Sequence, residues 1–357
     1  AGRIKPCGGA IPPRLIKDFA IPDHLLVAKA RCARMVSPKD NRVDIPIEGG
    51  FVGMVDRSSF DEWLRERAAR HGALRRQGRF DRITRDPDGC AVVQWEGEHG
   101  IERTRTRCII GADGARSEVA RQSVEGWDQG RFVFAYHEVV RRPDPAPPGY
   151  DASRCDVVYD GRYSPDFYGW VFPHGETLSI GTGSADKGFS LRHAASALRA
   201  AVGLSGAQTV RREGAPIPMK PLPRWDNGRD VLLVGDAAGV VAPASGEGIY
   251  YAMASARMAA EASSRFLQSG DARHLAGARR RFMSEHGRVF WILGMLQRFW
   301  YRDDRRRERF VAMCRDRDVQ QLTFDAYMHK RLVRARPLAH LRIFVKDVAH
   351  LLGLARV

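Results

Sequence analysis

The sequence has no long hydrophobic run: its longest apolar stretch, Val289–Leu296, holds 8 residues. A membrane-spanning helix needs about 20, so none is expected. None of the six cysteines (Cys7, Cys32, Cys90, Cys108, Cys155, Cys314) falls in a C-x-x-C pair. A disulfide scaffold and a four-cysteine zinc site are therefore not expected, and a reducing compartment is the simpler reading. H-E-x-x-H and related metal-ligand spacings are missing, so no metal site is expected. The serine-hydrolase signature G-x-S-x-G is missing too. Fixed-period repeats and low-complexity tracts are absent, and no basic-then-apolar leader points to secretion. Lysine is scarce, since 50 of the 58 basic residues are arginine.

What is present is a 357-residue chain with 44% apolar and 28% charged residues, a globular composition with room for two domains. The net charge of +16 is lopsided: residues 279–357 hold 19 basic against 8 acidic side chains. Such a cationic segment suggests an anionic surface or ligand. No zinc finger, basic zipper or RNA-recognition signature occurs, so nucleic acid is not the expected partner. Two readings of the basic segment stay open, a solvated helical face and a membrane-surface contact.

Periodicity outlines the elements. Ser58-Ser59-Phe60-Asp61 is expected to open a helix to Arg70 as a capping box, with Phe60, Trp63, Leu64 and Ala68 on one face. Strands are expected at 91–95, 105–110, 132–140, 156–159, 167–172 and 177–181. Proline-rich stretches at 143–148 and 216–223 read as loops. Residues 230–234 form an apolar strand of the buried parallel type, a small-residue helix follows over 246–266, and the pattern is helical from about 272.

The strongest local signal is Val231-Leu232-Leu233-Val234-Gly235-Asp236-Ala237-Ala238-Gly239, running on through Pro243 to Gly246-Glu247-Gly248. A buried strand ending in Gly-Asp sets a carboxylate at the carboxyl edge of a parallel sheet, where it can accept from a ribityl or ribose hydroxyl. The Gly246-Glu247-Gly248 turn offers backbone N–H groups at a helix start, suited to an electron-rich ring oxygen or a phosphate. A plain strand-to-helix turn is the competing reading.

This motif resembles the one that binds the flavin half of FAD in the para-hydroxybenzoate-hydroxylase-like flavoproteins. Arg57 with Phe60-Asp61-x-x-Leu64 is similar to that superfamily's D-R-x-x-F-D-x-x-L helix start. Gly111-Ala112-Asp113-Gly114-Ala115-Arg116-Ser117 resembles its G-A-D-G-x-x-S turn, linked to FAD and nicotinamide-nucleotide binding. Lys5-Pro6-Cys7-Gly8-Gly9-Ala10-Ile11-Pro12 and Tyr168-Gly169-Trp170-Val171-Phe172-Pro173 resemble the C-G-G loop and Y-x-W-x-F-P substrate motif of the geranylgeranyl reductases. Tyr301-Arg302-Asp303-Asp304-Arg305-Arg306-Arg307 and Tyr327-Met328-His329-Lys330-Arg331-Leu332 look like the (bacterio)chlorophyll-biosynthesis branch. The family's opening G-x-G-x-x-G occurs nowhere here, so the chain is expected to lack about one βαβ unit, ~30 residues.

The resemblance implies an α/β fold: an FAD-binding domain of the glutathione-reductase-like, para-hydroxybenzoate-hydroxylase type without its first βαβ, a mixed-sheet α+β substrate domain and a helical C-terminal tail. The expected boundaries are 1–24, 55–130 and 226–268 for the first, 25–54 and 131–225 for the second, and 269–357 for the tail. The implied activity is FAD- and NADPH-dependent hydrogenation of a geranylgeranyl group to phytyl, on (bacterio)chlorophyll or as geranylgeranyl diphosphate. Arg57, Asp113, Gly114, Gly235, Asp236, Pro243, Gly246, Glu247 and Gly248 would bind cofactor. Gly8, Gly9, Tyr168, Trp170, Phe172 and Pro173 would bind substrate. An isolated alkene accepts hydride poorly unless protonated, so a weak acid is wanted nearby. Cys7 and Tyr168 are the candidates, with a pocket-shaping role equally open to Cys7. For Tyr168, Trp170 and Phe172, which a strand would point to one face, an ordinary sheet core is the competing reading.

The expected location is cytoplasmic, peripheral on the cytoplasmic or photosynthetic membrane. Arginines 305–307 are candidates for lipid headgroups or the diphosphate. The run Val289–Leu296 and a stripe of Leu338, Leu341, Val345, Val348 and Leu352 are expected either to lie on a membrane or to pack on the body. The alternatives are a related flavoprotein monooxygenase, halogenase or archaeal-type lipid reductase, and a non-catalytic membrane or nucleic-acid binder.

Overall fold

The computed structural model describes residues 7–328 and Lys330. Tyr327, Met328 and Lys330 of the second tail motif fall within it; His329, Arg331, Leu332, the stripe 338–352 and the opening Lys5-Pro6 lie outside the described residues. The described chain forms two compact units, one holding 61–133 and 216–294, the other 7–60, 134–215 and 295–328.

In the first unit, strands Ile109–Gly111 and Val231–Leu233 pair in parallel, Leu233 opposite Gly111. Val231, Leu232 and Leu233 are completely buried, which is why this strand is apolar at every position rather than alternating. The chain then turns through Gly235–Ala238 and runs into the helix Ile249–Ser269, closed by left-handed Gly270. Small residues Ala254, Ser255, Ala259 and Ala262 make up much of its buried side. Strands Arg79–Arg85, Ala91–Gly97 and Gly100–Thr106 form a separate antiparallel meander. The single strand expected at 105–110 is thus two. Thr106 Oγ1 donates to the Cys108 carbonyl at 2.8 Å, a local bond that breaks the strand between them.

The second unit is built on a seven-stranded mixed sheet. Its strand order is Thr209–Pro218, Phe132–Arg141, Thr177–Ser184, Gly169–His174, Arg154–Val158, Cys32–Val36, Arg42–Pro46. From Phe132–Arg141 to Arg42–Pro46 the pairings are antiparallel except Arg154–Val158 against Cys32–Val36. Strand Thr209–Pro218 extends into the stretch expected to be a loop, and it sits at the sheet edge, where proline is tolerated. The helix Leu191–Ala201 covers one face, burying Leu198 with Val140, Val171, Leu178 and Ile180. A smaller sheet, Ala10–Ile11, Val52–Val55 and Leu26–Ala30, carries the cluster of Ala30, Val52 and Met54 against which Phe172 packs.

The helix expected to begin at Ser58 begins at Arg57. Asp56 caps it: its Oδ1 accepts from Ser58 N–H at 2.8 Å, and its carbonyl accepts from Phe60 N–H at 2.9 Å. Of its proposed apolar face, Phe60 is buried, Trp63 and Leu64 are half-buried and Ala68 is exposed.

Candidate active site

The first unit gathers the glycine-rich turns. Gly235 N–H donates to Ser255 Oγ at 3.0 Å, fastening the end of the parallel strand to the small-residue helix. A Cβ on Gly248 would lie 3.5 Å from Asp236 Oδ1 and 3.2 Å from Val241 Cγ2. The Gly-Asp turn and the Gly246-Glu247-Gly248 turn therefore converge, with Gly248 packed close beside Asp236 and Val241. Asp236, Gly246 and Glu247 are half-buried and Pro243 is buried. The loop closes on itself, Ala242 N–H donating to the Glu247 carbonyl and Gly246 N–H to the Ala242 carbonyl. The helix that starts after Gly248 has no side-chain cap, and the positive end of its dipole lies at the loop.

Asp113 is engaged within its own turn. Its Oδ1 accepts from Ser117 Oγ and its Oδ2 from Val119 N–H at 3.1 Å, so the carboxylate tethers the start of the helix Glu118–Ser123. Asp113 is exposed and Gly114, beside it in the turn, is buried.

The second unit brings together the loop and the strand singled out by sequence. A Cβ on Gly8 would meet Phe172 Cδ2 at 2.9 Å, and one on Gly9 would meet His174 Nε2 at 2.4 Å and the Val55 carbonyl at 2.6 Å. Cys7-Gly8-Gly9 thus lies directly on the aromatic strand. Gly9 N–H donates to Cys7 Sγ at 3.3 Å and the Gly9 carbonyl accepts from Val55 N–H at 2.9 Å, which fixes the loop. Tyr168 and Trp170 have ring centroids 6.1 Å apart, Trp170 and Phe172 6.4 Å, so the three rings make one ladder. Tyr168 itself precedes the strand and stacks on Phe167 at 4.2 Å. Val171, on the alternate side, belongs to the core under the helix Leu191–Ala201. The aromatic ladder therefore faces away from that core. Pro173 is buried, and Arg57 is half-buried at the first turn of its helix.

Sequence reading missed the polar groups behind the ladder. Trp170 Nε1 donates to Ser179 Oγ at 3.1 Å, and Ser179 Oγ lies 2.9 Å from His137 Nδ1. His137 Nε2 is 2.7 Å from Glu213 Oε2. Arg211 then pairs with Glu213 at 3.1 Å and with Asp56 at 3.2 Å. Burial raises the Asp56 carboxyl, and hydrogen bonds from Ser58 and Arg211 outweigh it, leaving the group below the usual carboxylate range. The one signal in the sequence was a histidine in the middle of the apolar strand 132–140. His174 is half-buried, and desolvation pushes its imidazole down to about 4, so it is neutral at pH 7. Among the described residues no cluster of histidine, cysteine and carboxylate could hold a metal.

The basic segment divides. Arg307 is 2% exposed, donating to the Pro165 and Tyr301 carbonyls and pairing with Asp304. It braces the fold and is closed to lipid headgroups or a diphosphate, contrary to the expectation for 305–307. Arg305 is exposed, while Arg306 lies over the Phe299 ring at 4.5 Å. The run 289–296 divides as well. Val289, Phe290 and Leu293 are buried, whereas Trp291 is 64% exposed and Met295 44%.

This architecture matches solved flavoenzyme structures. A geranylgeranyl bacteriochlorophyll reductase-like protein from Thermoplasma acidophilum superposes with a TM-score of 0.76 at 18% identity, covering 94% of this chain and 89% of that one. A flavin-dependent brominase superposes at 0.72 with 16% identity, covering 97% and 90%. The fold is therefore the mixed α/β fold of the flavoprotein reductases and halogenases. The family model described as lycopene cyclase protein matches residues 182–341. The geranylgeranyl diphosphate reductase of Rhodobacter capsulatus is 57% identical over 356 residues, spanning 99% of this chain and 90% of the relative. The chain belongs to the geranylgeranyl reductase family.

Proposed function

We propose that the protein is an FAD-dependent oxidoreductase that hydrogenates C=C bonds of a geranylgeranyl group to give phytyl, with NADPH as electron donor. The substrate is geranylgeranyl diphosphate or the geranylgeranyl ester of a (bacterio)chlorophyll. The observation that carries this reading is the seating of Gly8 and Gly9 on Phe172 and His174, which sets Cys7 beside an aromatic ladder turned away from the helix-covered core.

The first unit's residues fit a flavin. Asp236 offers acceptors at the strand end, Gly248 packs close beside it, and the positive end of the following helix suits an electron-rich ring oxygen. When bound, FAD supplies the hydride. The chain's own residues do the rest. Trp170 and Phe172 give an apolar wall for an isoprenoid, and a dry wall keeps water from the reacting carbons. The Gly9 N–H bond to the Cys7 sulfur fixes the loop, and the Cys7 S–H is the first candidate to protonate an alkene carbon. Tyr168 is the second candidate donor.

The reading places the enzyme at the cytoplasmic membrane face. No helix among the described residues is long and apolar enough to cross a membrane. On the helix Ala276–Trp300, exposed Trp291, Met295 and Leu296 lie between exposed Arg288 and Arg298, a pattern suited to an anionic lipid surface.

The test is anaerobic incubation of the FAD-loaded protein with NADPH and each geranylgeranyl substrate, followed by mass spectrometry. Mass gains of two, four and six hydrogens on the prenyl group are expected. In a parallel aerobic incubation, oxygen uptake coupled to NADPH, with no prenyl reduction in either, would instead favour a monooxygenase. Absence of both would overturn the enzyme reading. Replacing Asp236 with Ala is expected to cut bound FAD about tenfold or more, consistent with loss of a charged hydrogen bond.

A further inference from the structure

Strand register places Trp170, Gly181 and His137 in one row across three strands, Trp170 opposite Gly181 and Gly181 opposite His137. The middle position has to be glycine: a Cβ there would lie 2.3 Å from Trp170 Cζ2 and 2.5 Å from His137 Cβ. With no side chain between them, the two rings approach to 6.3 Å between centroids. Ser179, two residues before Gly181 on the same face, bridges them.

The donors in this chain can be arranged so that every group is satisfied. An indole N–H can only donate, so Trp170 uses Ser179 Oγ as acceptor. With the ring proton on Nε2, toward the Glu213 carboxylate, Nδ1 is the acceptor for the Ser179 hydroxyl. Nε2–H donates to Glu213, and Arg211 holds Glu213 from its other oxygen. His137 is 2% exposed, Ser179 2% and Trp170 6%. In so dry a setting each lost partner leaves a buried polar group unsatisfied, so the chain strongly favours one orientation of the indole.

We infer that His137 is a positioning residue: through Ser179, with Glu213 behind it, it locks the Trp170 indole and so sets how the isoprenoid chain is seated along the aromatic ladder. This rests on the geranylgeranyl reductase reading. An apolar chain carrying several similar double bonds gives the protein no polar handle, so the shape of the wall has to choose which bond is presented. A tryptophan free to change rotamer would blur that choice.

The test compares His137→Phe, which keeps the ring and removes both hydrogen bonds, with Ser179→Ala, which cuts the link alone. The first readout is hydrogen exchange of the Trp170 indole N–H by NMR, assigned with Trp170→Phe. The second is the KM for geranylgeranyl diphosphate and the fraction of partly reduced prenyl product. Expected for both variants are at least tenfold faster exchange, a KM raised about tenfold and accumulation of partly reduced product, with FAD content unchanged. The double variant should match the singles, and His137→Asn, which keeps an acceptor toward Ser179, should recover most of the wild-type behaviour. If His137→Phe fails to fold, Ser179→Ala gives the same comparison. Wild-type exchange and product pattern in the folded variants would overturn the inference alone. Wild-type protein that loads FAD and reduces no prenyl substrate would overturn the functional reading and the inference with it.

Discussion

His174 Nε2 stands 2.4 Å from where a Cβ on Gly9 would sit, and the Val55 carbonyl stands 2.6 Å from it on another side. Gly9 also has a φ of +70°, a region that costs other residues free energy. Gly9→Ala is therefore expected to destabilise the protein by about 1–3 kcal/mol, or to displace the Cys7 loop at a similar cost. Urea titration reads the stability. Trimming the imidazole in a Gly9→Ala, His174→Ala double variant should recover only part of the loss, because the backbone carbonyl of Val55 cannot retreat.

The same imidazole gives a pH dependence. Burial holds His174 at about 4 in the fold, against about 6.5 for an ordinary histidine. The unfolded chain thus binds more protons between these values, and stability falls as pH drops from 6.5 toward 4. Linkage puts the loss at no more than about 3 kcal/mol, fully regained above pH 6.5. His174→Gln should flatten that part of the stability–pH curve; an unchanged slope would show that other groups cause it.

Arg307 and Arg305 should behave differently although they are two residues apart. Arg307→Gln removes the donors that serve the Pro165 and Tyr301 carbonyls, a loss of about 2–3 kcal/mol. Arg305→Gln, at an exposed position, should stay within about 0.5 kcal/mol. Thermal melts of the two single variants decide this, and equal shifts would contradict the assignment.

Trp291 and Met295 are the residues to change for membrane binding. Replacing both with Ser should lower partition onto phosphatidylglycerol vesicles about tenfold or more, since each removes exposed apolar surface available to the acyl boundary. Raising salt should weaken wild-type binding through Arg288 and Arg298. Vesicle co-sedimentation measures both, and partition insensitive to the Ser changes would remove this helix from the membrane reading.

The contiguous motifs were legible in the sequence because their geometry is local. The Gly235-Asp236 strand end and the helix after Gly248 are stated by apolar runs and glycines, and the 168–172 alternation already put three aromatics on one face. The helix start was legible only to within a residue or two, because Asp56 and Ser58 are both good caps and their competition is settled by the actual bonds. The break at Thr106–Cys108 was hidden by an unbroken strand-like composition.

Sequence by itself thus determined where the short glycine-rich and aromatic segments lie, since turn, strand and helix preferences act over a few residues. Only the tertiary structure decided which side of the sheet the aromatics face, that Arg307 is buried while Arg305 is exposed, and that His137 reaches Trp170. Each of these depends on register and packing between segments far apart in the chain. A row such as Trp170–Gly181–His137 has no local signature, because a shift of one residue in either pairing would turn its rings to the other face.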